Sequence, residues 1–143
     1  MLTQSDADAL IAMEKRLVRR VTISMPPGVD TTHQLVGSDE RERFLLDLWR
    51  GTIRVSKVNL QTRGRNVVVL VRLGVDGAPH TNADGQRIGK THLHVYREGF
   101  EDKWAFPLDP AEFADTTDPA LTFRDFCHYS NIADAPPFQE GLL

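Results

Sequence analysis

The sequence has few of the features that mark secreted or membrane-spanning proteins. A single cysteine, Cys127, excludes an internal disulfide and suits a reducing compartment. No apolar run approaches the roughly 20 residues that a membrane-crossing helix needs. The N-terminus carries neither a basic start nor an apolar stretch, so no signal peptide is predicted. These absences together predict a cytoplasmic protein with no membrane partner.

Repeats, low-complexity tracts and linkers are also missing, which favours a single domain over residues 1–143. A chain of this length buries a core without disulfides or metals. Its hydrophobic content of 41% and charged content of 26% are typical of a globular protein.

Acidic residues are scarce in the middle of the chain. Between Arg50 and Arg72, both included, six residues are positively charged and none is acidic. Residues 1–97 hold 15 Lys and Arg against 10 Asp and Glu, whereas residues 98–143 hold 2 against 10. Such a basic stretch favours RNA or an acidic protein as the partner, although the acidic last third could equally neutralise it. The candidate nucleic-acid-binding residues are Arg54, Lys57, Arg63 and Arg65.

The hydrophobic pattern predicts an α+β fold. An apolar stripe predicts a helix over residues 3–21. Over residues 33–108 the period changes to two, which predicts an antiparallel sheet, with the question of barrel-like closure left open. Asp118-Pro119 begins a second, C-terminal helix. The tail after Asn131, with Pro136-Pro137, is expected to lie over the surface.

Two strands of this sheet carry specific expectations. The run Val67–Leu73 is nearly all apolar, so we expect a central strand that is covered on both sides. Arg72 interrupts the run and therefore needs a partner. Residues 44–49 alternate as a strand does, with a helix over them as the alternative.

A change of phase interrupts the strand that follows residue 51. Ile53 and Val55 are in one phase, whereas Val58 and Leu60 are in the other. A β-bulge near Ser56-Lys57 would restore the inward phase and bury all four side chains. The polar face of this strand would then carry Arg54, Lys57, Asn59, Gln61 and Arg63.

Three histidines lie close together in the sequence, at positions 80, 92 and 94. His80 lies in a turn-rich loop over residues 74–89, the kind of segment that often carries function. A predicted strand over residues 91–97 places His92, His94 and Tyr96 on one side, with next-but-one residues about 7 Å apart. The pattern thus gathers titratable side chains on one surface beside a loop.

Such a set could act on a phosphodiester without a cofactor. Two imidazoles would serve as general base and general acid, because the pKa of histidine lies near neutrality. Arg72, Arg97 and Lys103 are candidates for stabilising the charged transition state. The candidate catalytic residues are His80, His92, His94, Tyr96, Arg72 and Lys103.

Two alternatives use the same residues. In the first, His92, His94 and Glu98 bind a metal, with His80 completing the shell. Their spacing, H-x-H-x-x-x-E, resembles the first half of the cupin metal motif, but Ala105 stands where a later glycine belongs and the second half is missing. In the second, the strand presents polar side chains to solvent or to a protein partner.

Two motifs surround these histidines. L-V-R-L-x-V-D-G-x-P-H-x-N-x-D-G begins at Leu70, and H-L-H-x-Y-R-E-G-x-x-D-K-W-A begins at His92. Together they resemble an uncharacterised family of small bacterial proteins, and the resemblance covers most of the chain. It implies a context like that of mobile bacterial gene pairs, including toxin–antitoxin and phage-defence modules.

The sequence therefore predicts a bacterial nucleic-acid-acting protein, in the first place an endoribonuclease-like toxin with a cognate protein partner. The basic residues would hold the RNA backbone and the histidines would cleave it. Contacts would be directed to the backbone, because no aromatic stacking platform is apparent. A non-catalytic module that binds a protein or a ligand is the alternative, and a metal-dependent enzyme comes third.

Overall fold

The computed structural model describes residues 1–133 and 138–139 of the chain. The predicted surface position of Pro136-Pro137 falls outside the described residues. Over the described part the helices and strands are α1 (Gln4–Ala12), β1 (Lys15–Leu17), β2 (Asp30–Gly37), β3 (Arg43–Arg50), β4 (Val58–Gly64), β5 (Val68–Val75), β6 (His80–Thr81), β7 (Arg87–Ile88), β8 (His92–Val95), β9 (Ala105–Pro107) and α2 (Pro119–Tyr129).

Seven of these strands form one antiparallel sheet in the order β1-β2-β3-β4-β5-β8-β9. The strands β6 and β7 pair with each other as a small hairpin, separate from this sheet. The predicted α+β class, with an N-terminal and a C-terminal helix, is confirmed. Within the described residues the sheet is open, with β1 and β9 at its edges, rather than barrel-like. Neither of the two helices there has the length and apolar composition for crossing a membrane.

The first helix ends at Ala12, well before the predicted end at Val21. The following segment is extended instead, because Lys15 in β1 is 1% exposed and is fixed by tertiary contacts. Pairing of β1 with β2 and three hydrogen bonds from the Lys15 ammonium override the helical pattern of the sequence. The Nζ atom donates, at 2.8–2.9 Å, to the carbonyl oxygens of Ile11, Met13 and Ser130.

The predicted bulge near Ser56-Lys57 is wrong, because residues 51–57 form a loop instead of a strand. Ile53 is 99% exposed and Val55 is 42% exposed, whereas both were expected in the core. A hydrogen bond from the amide of Gly51 to the carbonyl of Lys57 (3.0 Å) closes the loop. The side chains of residues 52–56 therefore do not alternate between the two faces of the sheet.

An irregularity does occur in the next pair of strands. Thr62 and Arg63 of β4 pair with Val71 and Val69 of β5, so that Leu70 is the additional residue. The strand β5 is central in the sheet, but its predicted coverage on both sides is wrong, since Arg72 and the residues beside it alternate in burial.

The sheet has one apolar face and one polar face. Leu60, Leu73 and Leu93 are aligned across three strands and belong to the core, which the helices cover. On the opposite side the register aligns Asp47, Gln61, Arg72 and His94. This side, called the polar face below, brings together side chains that are far apart in the sequence. Residues 44–49 lie in β3, which confirms the strand interpretation over the helical one.

Candidate functional site

Three histidine rings meet at one end of the polar face. His92 and His94 extend from β8, opposite Gly74 and Arg72 of β5. His80 comes from β6. The ring centroid of His94 lies 4.9 Å from that of His80 and 4.9 Å from that of His92, and the other two are 5.9 Å apart. These three residues are called the histidine cluster below.

Asn82 attaches the β6–β7 hairpin to the sheet. The residue is 3% exposed, and its side chain donates from Nδ2 to the carbonyl of Ala105 (2.9 Å) and accepts at Oδ1 from the amide of Ala105 (2.8 Å). The two bonds satisfy the backbone at the edge of the sheet, as a further strand would. This attachment holds His80 against the two histidines of β8.

Backbone carbonyls fix the tautomers of two members of the histidine cluster. His80 Nε2 lies 2.8 Å from the carbonyl oxygen of Lys103, and His92 Nδ1 lies 2.7 Å from that of Gly89. A carbonyl oxygen only accepts, so both ring nitrogens must carry hydrogen. In the neutral rings, Nδ1 of His80 and Nε2 of His92 are then the basic atoms. A Cβ placed on Gly74 would lie 3.8 Å from His92 Nε2, so Gly74 lies beside this basic atom.

His94 is the buried centre of the histidine cluster. It is 4% exposed, and its Nδ1 has no hydrogen-bond partner within residues 1–133 and 138–139. Burial lowers its pKa to about 4, assisted by the charges of Arg72, His92 and His80, while the backbone carbonyl of Asp102 acts in the opposite direction. The ring is therefore neutral at pH 7, and a charged general acid has to be another histidine.

The prediction that His92, His94 and Tyr96 lie together on one surface is wrong in two respects. His92 is 7% exposed and His94 is 4% exposed, since the hairpin covers them. Tyr96 lies in the core and donates its hydroxyl to the carbonyl of Leu2 at 2.7 Å. The amide of Tyr96 donates to the carbonyl of Leu70, the additional residue of β5, so side chains do not continue to alternate between the two faces beyond β8.

Arg72 has the partner that the sequence required. Its Nη1 lies 2.7 Å from Oδ2 of Asp102, and both side chains are about one third exposed. The guanidinium is also close enough to His94 to lower its pKa. Arg72 is therefore a candidate for stabilising the charged transition state whose guanidinium lies at the histidine cluster.

Other candidate residues lie elsewhere. Arg97 stacks on the ring of Trp104, with 4.1 Å from Cζ to the ring centroid. Lys103 contributes its carbonyl to His80, whereas its side chain is exposed. Glu98 accepts a hydrogen bond from the amide of Gln4 at 2.7 Å and does not join the histidines. No group of three His, Cys, Asp or Glu in the described part of the chain is arranged to hold a metal ion.

The candidate nucleic-acid-binding residues do not form one free basic stripe. Three arginines of this set form ion pairs: Arg54 with Asp76 (2.9 Å), Arg63 with Asp47 (2.6 Å) and Arg65 with Glu42 (3.2 Å). Lys57 lies over the ring of Trp49, 5.7 Å from its centroid. The sequence left open a neutralisation by the acidic last third, but the three acidic partners of these arginines, Asp76, Asp47 and Glu42, come from the first two thirds of the chain.

Asp47 organises the middle of the polar face. Its carboxylate accepts hydrogen bonds from Arg63, Gln61 and Thr32 at 2.6–2.9 Å. Burial raises the pKa of Asp47, but these bonds outweigh it and hold the pKa below its ordinary value. Beside this network runs an open groove of about 620 Å³. Its lining includes Asp47, Trp49, Asn59, Gln61, Arg63 and Arg72.

Sequence reasoning missed three residues of the site. The sequence pointed to Asp102 only indirectly, because Arg72 needed an acidic partner. Several acidic residues fit that need, so the pattern did not identify Asp102 among them. Asn82 stands in the quoted H-x-N motif, but its bonds to the sheet edge depend on the fold. Asp47 was one of the alternating residues of β3, and nothing in the sequence indicated that Arg63 lies beside it.

The family model described as a family of unknown function, DUF6978, matches residues 2–132. Neither a curated protein nor a solved structure matches the chain. The matched segment includes both strands of the histidine cluster, the hairpin and the two helices. The chain belongs to the family of unknown function DUF6978.

Proposed function

We propose that this protein cleaves RNA as a metal-independent, endoribonuclease-like enzyme, acting in the cytoplasm as the toxin of a toxin–antitoxin or defence module. The observation that carries the proposal is the histidine cluster, in which two fixed tautomers leave one basic ring nitrogen each on His80 and His92. Two imidazoles within 6 Å provide a base and an acid for one phosphodiester.

In the proposed reaction, Nε2 of His92 accepts the proton of a ribose 2′-hydroxyl. The 2′-oxygen attacks the adjacent phosphorus, and the bond from phosphorus to the 5′-oxygen breaks. The imidazolium of His80 donates the Nδ1 proton to that leaving oxygen. The products are a 2′,3′-cyclic phosphate and a 5′-hydroxyl, and each histidine ends in the protonation state of the other.

The remaining residues position and stabilise the substrate in this proposal. Arg72 stabilises the charge that develops on the phosphoryl oxygens, because it lies beside His94 with only part of its guanidinium bound to Asp102. Because His94 is neutral, it adds no positive charge to those of Arg72 and the His80 imidazolium. The groove beside Asp47 offers a path for the flanking nucleotides.

The experiment that tests the proposal is RNA cleavage in the presence of a chelator. Replacing His80 or His92 with Ala is expected to reduce the rate by about 10²–10⁴-fold, the usual contribution of a general acid or base. His33→Ala is the matched control, because this histidine lies on β2, where its ring contacts the hydroxyl of Thr31. Equal rates for the His80 variant and the control would contradict the proposal.

A second candidate is the non-catalytic interaction module, and the ion pairs of Arg54, Arg63 and Arg65 favour it. Paired guanidiniums offer less charge to a polyanion than free ones. Expression in a bacterial host with and without the adjacent gene separates the two. Loss of growth with RNA degradation, relieved by the neighbour, supports the toxin, whereas intact RNA and a stable complex with the neighbour support the module.

A further inference from the structure

A second cavity lies on the other face of the sheet, away from the histidine cluster. It encloses about 320 Å³ where the ends of β3, β4 and β5 meet the segment that precedes α2. Arg50 lies in the same cross-strand row as Val58 and Val75, whose side chains belong to the core. A charged residue therefore occupies a position that its neighbours fill with apolar side chains.

Arg50 is 8% exposed, yet it has no carboxylate partner in the part of the chain that the structure describes. Its Nε donates to the carbonyl of Val55 (2.6 Å) and its Nη1 to that of Met25 (2.8 Å). None of the ion pairs within residues 1–133 and 138–139 includes it. The two carbonyls use two of the five N–H groups of the guanidinium, and they leave its positive charge uncompensated. Burial of an unpaired charge is costly unless an anion compensates it.

The rest of the lining suits such an anion. Thr91 accepts a hydrogen bond from the amide of Asp76, so its hydroxyl hydrogen remains available for a ligand. Thr116 adds a further hydroxyl. Asp76 also borders the cavity, but Arg54 neutralises its carboxylate at 2.9 Å and Ser56 donates to it. Among the described residues of the lining, the net charge is therefore that of Arg50.

We infer that this cavity binds a small organic anion, with a carboxylate or phosphate head on Arg50 and a compact apolar body. The apolar part of the lining comes from Met25, Val58, Leu60 and Val75 and would receive that body. Cavities of this volume are at the small end of ligand pockets, which excludes a nucleotide chain. The site is independent of the proposed RNA cleavage, because it lies on the opposite face of the sheet.

The test is a titration of the full chain, followed by the backbone amide signals in NMR spectra, with sodium benzoate, phenyl phosphate and the neutral benzamide. We expect saturable shifts at residues 55–56, 91 and 116 with at least one of the two anions. Benzamide should bind about tenfold more weakly or worse, because it cannot form the charged contact with Arg50. Equal affinity for benzamide, shifts centred on the polar face, or no saturable shift with either anion would each overturn the inference.

Two variants make the test specific. Arg50→Gln should abolish the preference for the anions over benzamide. Because that variant could fail to fold, Val55→Trp provides a second route, since Val55 lines the cavity and is 42% exposed. The bulky ring should block the cavity and weaken binding of the anion about tenfold or more. Val67→Trp, at a position that is 76% exposed and outside the lining, should bind as the wild type does. Equal binding by both tryptophan variants would contradict the site.

Discussion

Asp102 holds Arg72 at the edge of the histidine cluster, with 2.7 Å between Oδ2 and Nη1. The pair joins β5 to the loop that leads into β9. It also lowers the positive charge that a phosphate meets there, because the carboxylate lies beside the guanidinium. Asp102 thus weakens the binding of an anion at this position and also fixes the position of the Arg72 side chain.

Asp102→Asn is expected to strengthen RNA binding while leaving the fold intact. Removing the carboxylate frees one positive charge, so the slope of log affinity against log salt should become steeper by about 0.7, the value for one phosphate of a single strand. Fluorescence anisotropy at several salt concentrations measures this slope. The free energy of unfolding should fall by about 1 kcal/mol or less, because both side chains are about one third exposed. An unchanged slope would show that Arg72 does not contact RNA.

The depressed pKa of His94 predicts a loss of stability in acid. The unfolded chain binds a proton on this residue near pH 6.5, whereas the folded chain binds it only near pH 4, so stability is lost as the pH falls through that window. Over that window the loss is about 3 kcal/mol. Urea unfolding at pH 7 and at pH 4.5 measures it in the wild type and in His94→Gln. The variant, which cannot titrate, should show a distinctly smaller difference between the two pH values. Equal differences would mean that folding does not lower the pKa of His94.

Lys15→Met should destabilise the domain strongly. The substitution keeps the length of the side chain but removes the donor of three hydrogen bonds, leaving buried carbonyls unsatisfied. We expect a loss of about 2–4 kcal/mol in the free energy of unfolding, measured in urea. Lys90→Met is the matched control, since Lys90 is exposed, and it should change the free energy by about 0.5 kcal/mol or less. Equal losses in both variants would show that the three bonds contribute little.

The sequence predicts the class of fold because the alternation of buried side chains in β3 and β4 is a local pattern. It could not predict the end of α1, since Lys15 is fixed by a carbonyl of Ser130, which is far away in the sequence. It also could not locate the irregularity at Leu70, because the register depends on both paired strands.

The candidate site was predicted in part. The proximity of His92 and His94 follows from their spacing on a strand, and His80, which was expected in a loop beside them, lies with its ring centroid within 5.9 Å of both. Burial of the histidines depends on the hairpin that Asn82 attaches, which is a tertiary feature. The pairing of the arginines was not predictable for the same reason, since the bond between Arg63 and Asp47 connects adjacent strands.

Cleavage of RNA by Gly74→Ala, in the presence of a chelator, tests the central claim most directly. The added methyl group would lie 3.8 Å from His92 Nε2 and 3.5 Å from Asn59 Oδ1, both ordinary contact distances, so the fold should tolerate it. In the proposed reaction the 2′-hydroxyl has to approach His92 Nε2, so a methyl group beside this atom should hinder it and the rate should fall about tenfold or more. Gly77→Ala is the matched control, because its methyl group would contact Lys57 Cε at 3.7 Å instead of a histidine. A reduced rate in the first variant and a wild-type rate in the second is the predicted result, whereas equal rates, or no cleavage by the wild type, would contradict the account.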